Sequence, residues 1–432
     1  MNGGLSMVEM KSGYKMTEVG VIPEDWEVKE FNETFSVIPN NSLSRDYLNT
    51  HAGEYHDIHY GDVLIRYGAL LDAGNTEIPF INKAITDKWV NRRIVTEGDI
   101  IMADTAEDNT VGKCSEVINV NHKKIVSGLH TFWLHPNEGL FEKGFLGYFM
   151  NYSLYHNQLL PLIHGTKVSS VSKNEILGTR VLVPLKNEQT AIATALSDVD
   201  SLISALTKKI EKKKAIKQGL MQQLLTGKKR LPGFNDKWKS MLLGDIAEVK
   251  DGTHQTPKYV KSGGKPFYSV ENVTADDFKN VKHISLEEHK ALTSNYRIEK
   301  GDVLMTRIGS IGCCKYVDWD VDASFYVSLA LLKINEKYDS KFISYLSNIK
   351  SFKEEVMLNS LVFAIPQKIN LGNISLIKVY IPTSKAEQTA ISNILSDCDS
   401  EIAALEEKRD KYKEIKQGMM QQLLTGKIRL IK

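Results

Sequence analysis

Two copies of one segment limit the folds open to this sequence. Residues 188–228 read EQTAIATALSDVDSLISALTKKIEKKKAIKQGLMQQLLTGK, and residues 387–427 read EQTAISNILSDCDSEIAALEEKRDKYKEIKQGMMQQLLTGK. The segments align without a gap, and 28 of their 41 positions are identical. Close self-similarity at a fixed separation indicates a duplicated structural unit. The chain therefore consists of two related halves that end in the same segment.

The residues in front of each copy are only loosely alike. GDIIMAD at 98–104 corresponds to GDVLMTR at 301–307, and FLGYFMN at 145–151 corresponds to FISYLSN at 342–348. Each half is thus a divergent block followed by a nearly constant one. We predict a leader at 1–16, divergent domains at 17–186 and 228–385, conserved helices at 187–227 and 386–426, and a tail at 427–432.

The repeated segments have the apolar spacing of long helices. Apolar residues in the first copy follow steps of four and three, which is the heptad pattern of a coiled-coil seam: Ile192, Leu196, Val199, Ile203, Leu206 and Ile210. A lone amphipathic helix would leave its seam in water. We therefore expect the two helices to pair in antiparallel fashion, with one divergent domain at each end. The alternative is that each helix packs on its own domain.

Composition excludes several classes of protein. No apolar run of the 432 residues reaches the roughly 20 needed to span a membrane, and the start lacks the apolar core of a signal peptide. Four cysteines without CxxC spacing argue against a zinc ribbon and favour a reducing cytoplasm. The net charge of +2 means that any basic surface must come from local clustering.

Known enzyme signatures are missing from the sequence. A Walker A loop, HExxH, GxSxG, a strand-linked GxGxxG and the NPPY-like tetrapeptide of amino-methyltransferases do not occur. The ExK triplets at 27–29 and 248–250 are short and common, so they give nuclease chemistry little support. His51, Glu54, His56 and His59 suggest a metal site, but a polar strand and turn explain them more simply.

Two groups of residues point to binding instead. Residues 207–230 hold nine Lys or Arg against one Glu, which suits contact with phosphates, although such a stretch is more often a solvated face. Loops in both divergent blocks carry side chains that can read base edges, although a single loop cation is more often plain surface. The candidates for DNA binding are Arg66, Tyr67, Arg92, Arg93, Thr166, Lys167, His254, Gln255, Thr256, Lys258, Arg307, Ser310, Gln367 and Lys368.

The ends of both helices carry polar residues that a shared seam does not require. Their identity in the two copies predicts two equivalent docking surfaces for one partner, unless the duplication is recent and has drifted little. The predicted docking residues are Gln218, Met221, Gln222 and Gln223 in the first helix and Gln417, Met420, Gln421 and Gln422 in the second.

The order of these motifs resembles one known family over essentially the whole chain. A V-I-P-x-x-W opening at 21–26, a divergent block, EQxxI and a closing IKQGLMQQLLTGK, with the pattern then repeated, is similar to the specificity (S) subunit of type I restriction–modification enzymes. The leader at 1–16 is longer than this pattern needs. The two helices also differ in charge, so their ends need not dock partners equally.

The resemblance implies both a fold and a function. The fold class would be α+β: two mixed α/β target-recognition domains separated by a long antiparallel two-helix coiled coil, with a pseudo-twofold internal repeat. The chain would be a non-catalytic subunit that binds a bipartite site on double-stranded DNA. It would dock two methyltransferase subunits, and restriction subunits would join them.

The resemblance also implies that this chain has no cofactor of its own, because S-adenosylmethionine, ATP and Mg²⁺ would belong to the partner subunits. Two rival functions stay open on the sequence alone. The chain could be a self-contained DNA-binding nuclease or methyltransferase, or a coiled-coil adaptor that makes no DNA contact.

Overall fold

The computed structural model describes residues 12–87, 93–165, 167–361 and 363–430. The chain divides into two compact units: Met1–Leu206 with Lys408–Lys432 form unit 1, and Thr207–Glu407 forms unit 2. Two long helices, α7 (Lys186–Leu224) and α14 (Lys385–Leu423), each contribute residues to both units. Each helix has 39 residues and is therefore ~58 Å long.

Unit 1 is a mixture of short strands and short helices before α7 begins. Its strands are β1 (Tyr14–Thr17), β2 (Gly20–Pro23), β3 (Glu27–Glu30), β4 (Phe35–Ile38), β5 (Leu48–Asn49), β6 (Tyr55–Ile58), β7 (Leu70–Asp72), β8 (Phe80–Ile81), β9 (Ile100–Ala103), β10 (Thr105–Ala106), β11 (Cys114–Ile118), β12 (Lys124–Ser127), β13 (Thr131–Pro136), β14 (Ser169–Ser170) and β15 (Arg180–Val183). Its short helices are α1 (Phe31–Thr34), α2 (Tyr60–Ile65), α3 (Lys83–Thr86), α4 (Phe145–Asn151), α5 (Ser153–Leu159) and α6 (Lys173–Ile176), with 3₁₀ turns at Arg45–Tyr47 and Leu160–Leu162.

Two sheets organise unit 1. A five-stranded sheet has the order β4-β13-β9-β11-β7, and a four-stranded sheet has the order β12-β6-β8-β5. All four side chains of β9 are buried, as expected for an apolar strand at the centre of a sheet with both faces covered. Helix α4, nearly all buried, packs its aromatic residues into the main core beside this sheet.

Unit 2 has a similar composition of elements. Its strands are β16 (Trp238–Leu242), β17 (Ala247–Asp251), β18 (Tyr259–Val260), β19 (Lys265–Tyr268), β20 (Lys282–Ile284), β21 (Val303–Thr306), β22 (Cys314–Tyr316), β23 (Ser324–Phe325), β24 (Leu329–Ile334) and β25 (Lys378–Pro382). Its short helices are α8 (Leu243–Ile246), α9 (Val270–Ala275), α10 (Leu286–Leu292), α11 (Ser340–Leu346), α12 (Lys350–Leu358) and α13 (Leu371–Ser375).

The sheets of unit 2 have the orders β17-β24-β21-β22 and β18-β20-β19-β23. Strand β21 is fully buried and pairs with β22 and β24, much as β9 pairs with β11 and β13 in unit 1. The fold is therefore mixed α/β in both units. Among the described residues, no helix is both long and apolar enough to cross a membrane.

The first residues of the apolar seam of each long helix are part of a domain core. Ile192 and Leu196 of α7 lie in the same buried cluster as Leu423 and Leu424 of unit 1. In unit 2 the corresponding cluster contains Ile391 and Leu395 of α14 together with Leu224 and Leu225. The conserved LL pair after each QQ is thus a core contact within its unit.

A buried carboxylate lies at the start of α7. Glu188 is 0% exposed and accepts a hydrogen bond from Trp26 Nε1 at 2.8 Å. The guanidinium of Arg429, just beyond α14, donates to both Glu188 oxygens at 2.6 and 2.7 Å. This bidentate pair neutralises the buried carboxylate and gives each of its oxygens a hydrogen bond. Hydrogen bonds to Glu188 and Asp25 raise the pKa of Arg429 above its usual range.

Unit 2 contains the same arrangement at the start of α14. Glu387 is 0% exposed and accepts from Arg230 at 2.6 and 2.8 Å, and Trp238 Nε1 donates to it at 3.4 Å. The following glutamines, Gln189 and Gln388, are also fully buried and hydrogen-bond backbone groups of the neighbouring loops. The repeated EQ dipeptide is therefore a structural anchor.

Further along, an aspartate of each helix joins a tyrosine and a lysine. Asp200 accepts from Tyr148 Oη at 2.9 Å and contacts Lys416 Nζ at 2.7 Å in unit 1. Asp399 accepts from Tyr345 Oη at 2.7 Å and pairs with Lys217 in unit 2. In each unit the lysine also lies over the tyrosine ring.

Substituting Arg429 by Ala should destabilise unit 1 by about 3–5 kcal/mol, because Glu188 would stay buried without its cation. The exposed pair Lys124–Glu54 supplies the control, and Lys124→Ala should change stability by less than about 0.5 kcal/mol. Urea denaturation measures the loss, and hydrogen exchange locates it. Faster exchange should be confined to unit 1 in Arg429→Ala and to unit 2 in Arg230→Ala; equal effects of Arg429→Ala and Lys124→Ala would contradict the assignment.

Candidate nucleic-acid interface

Two loops of unit 2 pack against each other. The first, here called the hairpin loop of unit 2 (307–313), joins β21 to β22. The second, the bridged loop of unit 2 (361–368), is closed by a single bridge between Leu361 and Lys368, and Lys368 also bridges to Ile308. Gly309 N donates to Gln367 O at 2.8 Å. These backbone bonds place Ser310, Gln367 and Lys368 side by side on one surface.

Arg307 holds this loop pair together from inside. Only 7% of the residue is exposed, and its Nη1 lies 2.5 Å from Asp251 Oδ1 while Nε donates to Ile369 O at 3.3 Å. The side chain therefore links the ends of three segments, and its hydrogen-bonding groups face protein partners. Arg307 positions the loops, whereas Ser310 and Lys368 are exposed.

The third segment, residues 251–258, lies beside these loops through Asp251. His254 contacts Asp251 Oδ2 at 2.7 Å, and the Thr256 hydroxyl lies 3.4 Å from Tyr326 Oη. The side chains predicted to bind DNA here are exposed: His254, Gln255, Thr256 and Lys258. Unit 2 thus brings all of its predicted DNA-binding residues onto three neighbouring loops.

Unit 1 contains a matching loop pair. Its hairpin loop (104–113) joins β9 to β11, and its bridged loop (164–170) is closed by the bridge between His164 and Ser170. Strands β10 and β14 pair the two loops. Val171 N donates to Asp104 O at 3.0 Å, as Ile369 N donates to Arg307 O at 2.9 Å in unit 2. The framework is the same, but an acid replaces the arginine.

Arg66 and Tyr67 follow α2, near the base of the unit 1 hairpin loop. Lys113 Nζ donates to Leu64 O at 2.5 Å, which joins the end of α2 to that loop. Arg66 is exposed and pairs with Asp62 at 3.3 Å. Tyr67 is only 4% exposed; its hydroxyl has no hydrogen-bond partner within the described residues, and burial raises its pKa.

The other predicted residues of unit 1 are more scattered. Lys167 is exposed in the bridged loop. Arg93 is exposed and precedes Val95, whose amide donates to Ile125 O in β12, so it belongs to the region of the second sheet. Arg92 and Thr166 lie outside the described residues.

The predicted docking residues lie on the last turns of α7 and α14. Five glutamines are exposed, namely Gln218, Gln222, Gln223, Gln417 and Gln421, whereas Gln422 and both methionines, Met221 and Met420, are half-buried. Ile216 and Ile415 are 44% and 41% exposed on these turns. One turn on, a Cβ added to Gly219 or Gly418 would meet nothing within 4 Å. Both helix ends thus present the same open face.

Two of the three histidines considered for metal binding make other hydrogen bonds through their rings. His56 Nδ1 lies 2.9 Å from Ile78 O, and His59 Nδ1 accepts from Gly61 N at 3.2 Å. Across the described ranges, no group of three or more His, Cys, Asp or Glu side chains is placed to hold a metal ion.

Sequence reasoning missed the structural roles of Glu188, Glu387 and Arg307. A signal for the two glutamates was present, since Trp26, Trp238, Arg230 and Arg429 recur at matching places in the two halves. The sequence around Arg307 carries no comparable signal, because its partner Asp251 is distant along the chain and has no repeated counterpart.

Comparison with known proteins gives a consistent result. A family model described as the type I restriction modification DNA specificity domain matches residues 23–218 and again residues 235–417. A putative type I restriction enzyme MjaX specificity subunit of Methanocaldococcus jannaschii is 26% identical, with 97% of each chain covered. The EcoKI specificity subunit of Escherichia coli K12 is 21% identical over 68% of this chain and 65% of its own length.

Solved structures support the same fold. The S subunit of a type I restriction–modification system from M. genitalium has a TM-score of 0.58 at 17% identity, covering 92% of this chain and 96% of its own. A chain from a structural study of complex assembly in the type I R-M system has a TM-score of 0.52 at 16% identity, covering 94% and 99%. With two matched domains spanning most of its length, this chain belongs to the type I restriction modification DNA specificity family.

Proposed function

We propose that this chain is the DNA sequence-recognition subunit of a type I restriction–modification complex and has no catalytic site or cofactor of its own. The observation that carries the proposal is the contrast between the two units: the loop pairs share one framework but differ in side chains, while the helices beside them are nearly identical. Divergent loops on a repeated scaffold suit two domains that recognise different DNA sequences.

Each unit would read one half of a bipartite site on double-stranded DNA. In unit 2 the exposed side chains of residues 254–258, with Ser310 and Lys368, offer hydroxyl, amide and ammonium groups to base edges and phosphates. In unit 1 the corresponding groups would be Arg66 and Lys167. Tyr67 and Arg307 are buried, so we assign them to positioning the loops rather than to base contact.

The long helices would form an antiparallel coiled-coil spacer related by a pseudo-twofold repeat. Contacts within each unit support this arrangement. In unit 1, Glu188 contacts Arg429, just beyond α14, at 2.6 Å, and Asp200 contacts Lys416 at 2.7 Å; in unit 2, Lys213 contacts Glu401 at 2.7 Å. From one pair to the next the residue number rises along α7 while the number of its partner falls, which is the pattern of opposed directions.

The ends of the two helices would dock two methyltransferase subunits, which restriction subunits would then join. The exposed face that contains Ile216 and Gly219 is repeated at Ile415 and Gly418. A glycine within a helix costs up to about 1 kcal/mol relative to alanine, so its presence in both copies favours close approach of a partner helix. Two equal faces suit two copies of one partner.

Co-expression with the modification and restriction subunits tests the proposal. We expect this chain to co-purify with both, and genomic adenine methylation at one bipartite motif should depend on it. Purified chain alone should bind duplex DNA in a salt-dependent manner without turnover of S-adenosylmethionine or DNA. Turnover by the chain alone would favour a self-contained enzyme, and absence of salt-dependent binding would favour an adaptor.

The variants Lys368→Ala and Arg307→Ala should distinguish a side chain that contacts DNA from one that positions the loops. Loss of the exposed Lys368 should weaken binding of every duplex similarly and lower the salt slope by about 1, with unchanged stability. Loss of buried Arg307 should destabilise unit 2 by about 1–3 kcal/mol, because half-buried Asp251 and the carbonyl of Ile369 lose their hydrogen bonds. Binding titrations at several salt concentrations and urea denaturation measure both effects. A stable Arg307→Ala chain would contradict the positioning role.

Alanine at both Gln222 and Gln421 should weaken methyltransferase docking by about five- to thirtyfold, since each side chain is exposed at a predicted interface. Titration of the purified methyltransferase against the variant measures the affinity, and thermal unfolding serves as the stability readout. Lys411→Ala, exposed elsewhere on α14, is the matched control and should leave docking unchanged. A fall in melting temperature that parallels the loss of docking would instead assign the glutamines a structural role.

A further inference from the structure

The tip of the unit 2 bridged loop exposes two large apolar side chains. Phe363 is 97% exposed and Ile365 is 99% exposed. Within the described residues no other large apolar side chain reaches these values, and the next is Ile65 at 85%. Isolated apolar residues on a surface are ordinary, but a phenylalanine and an isoleucine fully in water on one short loop mark a contact surface.

The base of this loop is held firmly while its tip projects. Leu361 N donates to Lys368 O at 2.9 Å, Gly309 N donates to Gln367 O, and Ile369 N donates to Arg307 O. These bonds fasten both ends of the loop to the unit 2 hairpin loop. A tip whose side chains insert into a binding partner needs a rigid base, because ordering a mobile loop on binding would cost free energy.

Polar and cationic side chains lie at the base of the tip. Lys368 and Ser310 are exposed at its base, and Gln367 beside them is half-buried. This places the two apolar groups beside side chains that suit phosphates and base edges. Leu361 at the closing bridge and Leu358 at the end of α12 are also exposed, to 36% and 77%. Because the ammonium group of Lys368 lies at the base of the tip, a polyanion such as DNA is the partner that this charge favours.

The matching loop of unit 1 lacks this feature. Among its described residues, which read HG-KVSS, Val168 is the apolar side chain at the tip and is 52% exposed. Because the two loops share their bridge and their bond to the neighbouring hairpin loop, the fold does not require apolar tip residues. The apolar tip of the unit 2 loop therefore reflects the binding partner of unit 2 and not a requirement of the fold.

We propose that Phe363 and Ile365 form a wedge that enters one base step of the half-site read by unit 2, unstacking it and bending the duplex. Apolar residues including phenylalanine and isoleucine act in this way in proteins that kink DNA, and a flexible pyrimidine–purine step is the easiest to open. The wedge adds sequence preference through deformability at a step that needs no base-edge hydrogen bond. The proposal rests on the DNA-recognition function above.

Duplexes that carry the genomic methylation motif and a single 2-aminopurine test the wedge. The probe is moved step by step through both half-sites, because 2-aminopurine fluoresces more strongly when its stacking is broken. A rise at the adenines that the methyltransferase methylates reports base flipping and is set aside. Apart from those positions, we expect a several-fold rise with the full complex at one step of one half-site and none in the other. Fluorescence energy transfer between the duplex ends should report a bend.

The double variant Phe363→Ser with Ile365→Ser should lose both signals and bind the motif about tenfold more weakly. Phe363→Leu, which keeps an apolar side chain, should retain much of each signal. Leu286→Ser, at an exposed apolar site elsewhere in unit 2, should behave like wild type. Unchanged hydrogen exchange in the double variant would show that its fold is intact.

Two results would overturn the wedge while leaving the recognition function standing. One is a wild-type complex that binds and methylates its motif with no fluorescence rise at any step other than the methylated adenines. The other is a double variant that binds DNA normally but no longer co-purifies with the methyltransferase, which would make the tip a protein contact. Failure of wild type to bind any duplex would instead remove the underlying function.

Discussion

The buried carboxylates of Glu188 and Glu387 are the interactions on which the rest of the structure depends. Each lies at the start of a long helix and accepts hydrogen bonds from a tryptophan of its divergent domain and from an arginine that follows the other helix. A charge that is 0% exposed is stable only while these partners are present. One residue therefore fixes where a domain, the start of one helix and the end of the other meet, and the chain uses this device twice. The near identity of the repeated segments follows partly from this requirement.

In the loop pairs, by contrast, the backbone contacts are repeated but the side chains are not. Their backbone bonds match between units, from the closing bridges at His164 and Leu361 to the amides of Val171 and Ile369. Their side chains do not match, because Asp104 occupies the place of Arg307 and the apolar tip occurs in unit 2. A scaffold fixed by backbone hydrogen bonds permits side chains to change without loss of fold. Two domains that recognise different DNA half-sites need this combination of a shared backbone framework and different surface side chains.

Much of the fold could be predicted from the sequence, and less of the interface. The heptad spacing predicts long helices, and the helices observed run Lys186–Leu224 and Lys385–Leu423. The apolar spacing that defines a helix lies within a few neighbouring residues, so helices can be predicted from the sequence. The burial of Tyr67 and Arg307 could not be read, because it depends on Asp251 and on core residues that are distant in sequence. The same holds for the exposed Phe363, since an apolar residue in a sequence gives no sign that it will stay in water.

The proposed function requires paired helices of fixed length to separate two readers of DNA. The sharpest test deletes one heptad of α7 between residues 199 and 213 together with the matching heptad of α14, and then profiles genomic methylation. Seven residues span ~10 Å of helix, which corresponds to about three base pairs of duplex. A spacer of this kind predicts a methylation motif with a gap shorter by about three base pairs and with both half-sites unchanged. A methylated motif with the original gap, or with altered half-site sequences, would contradict it.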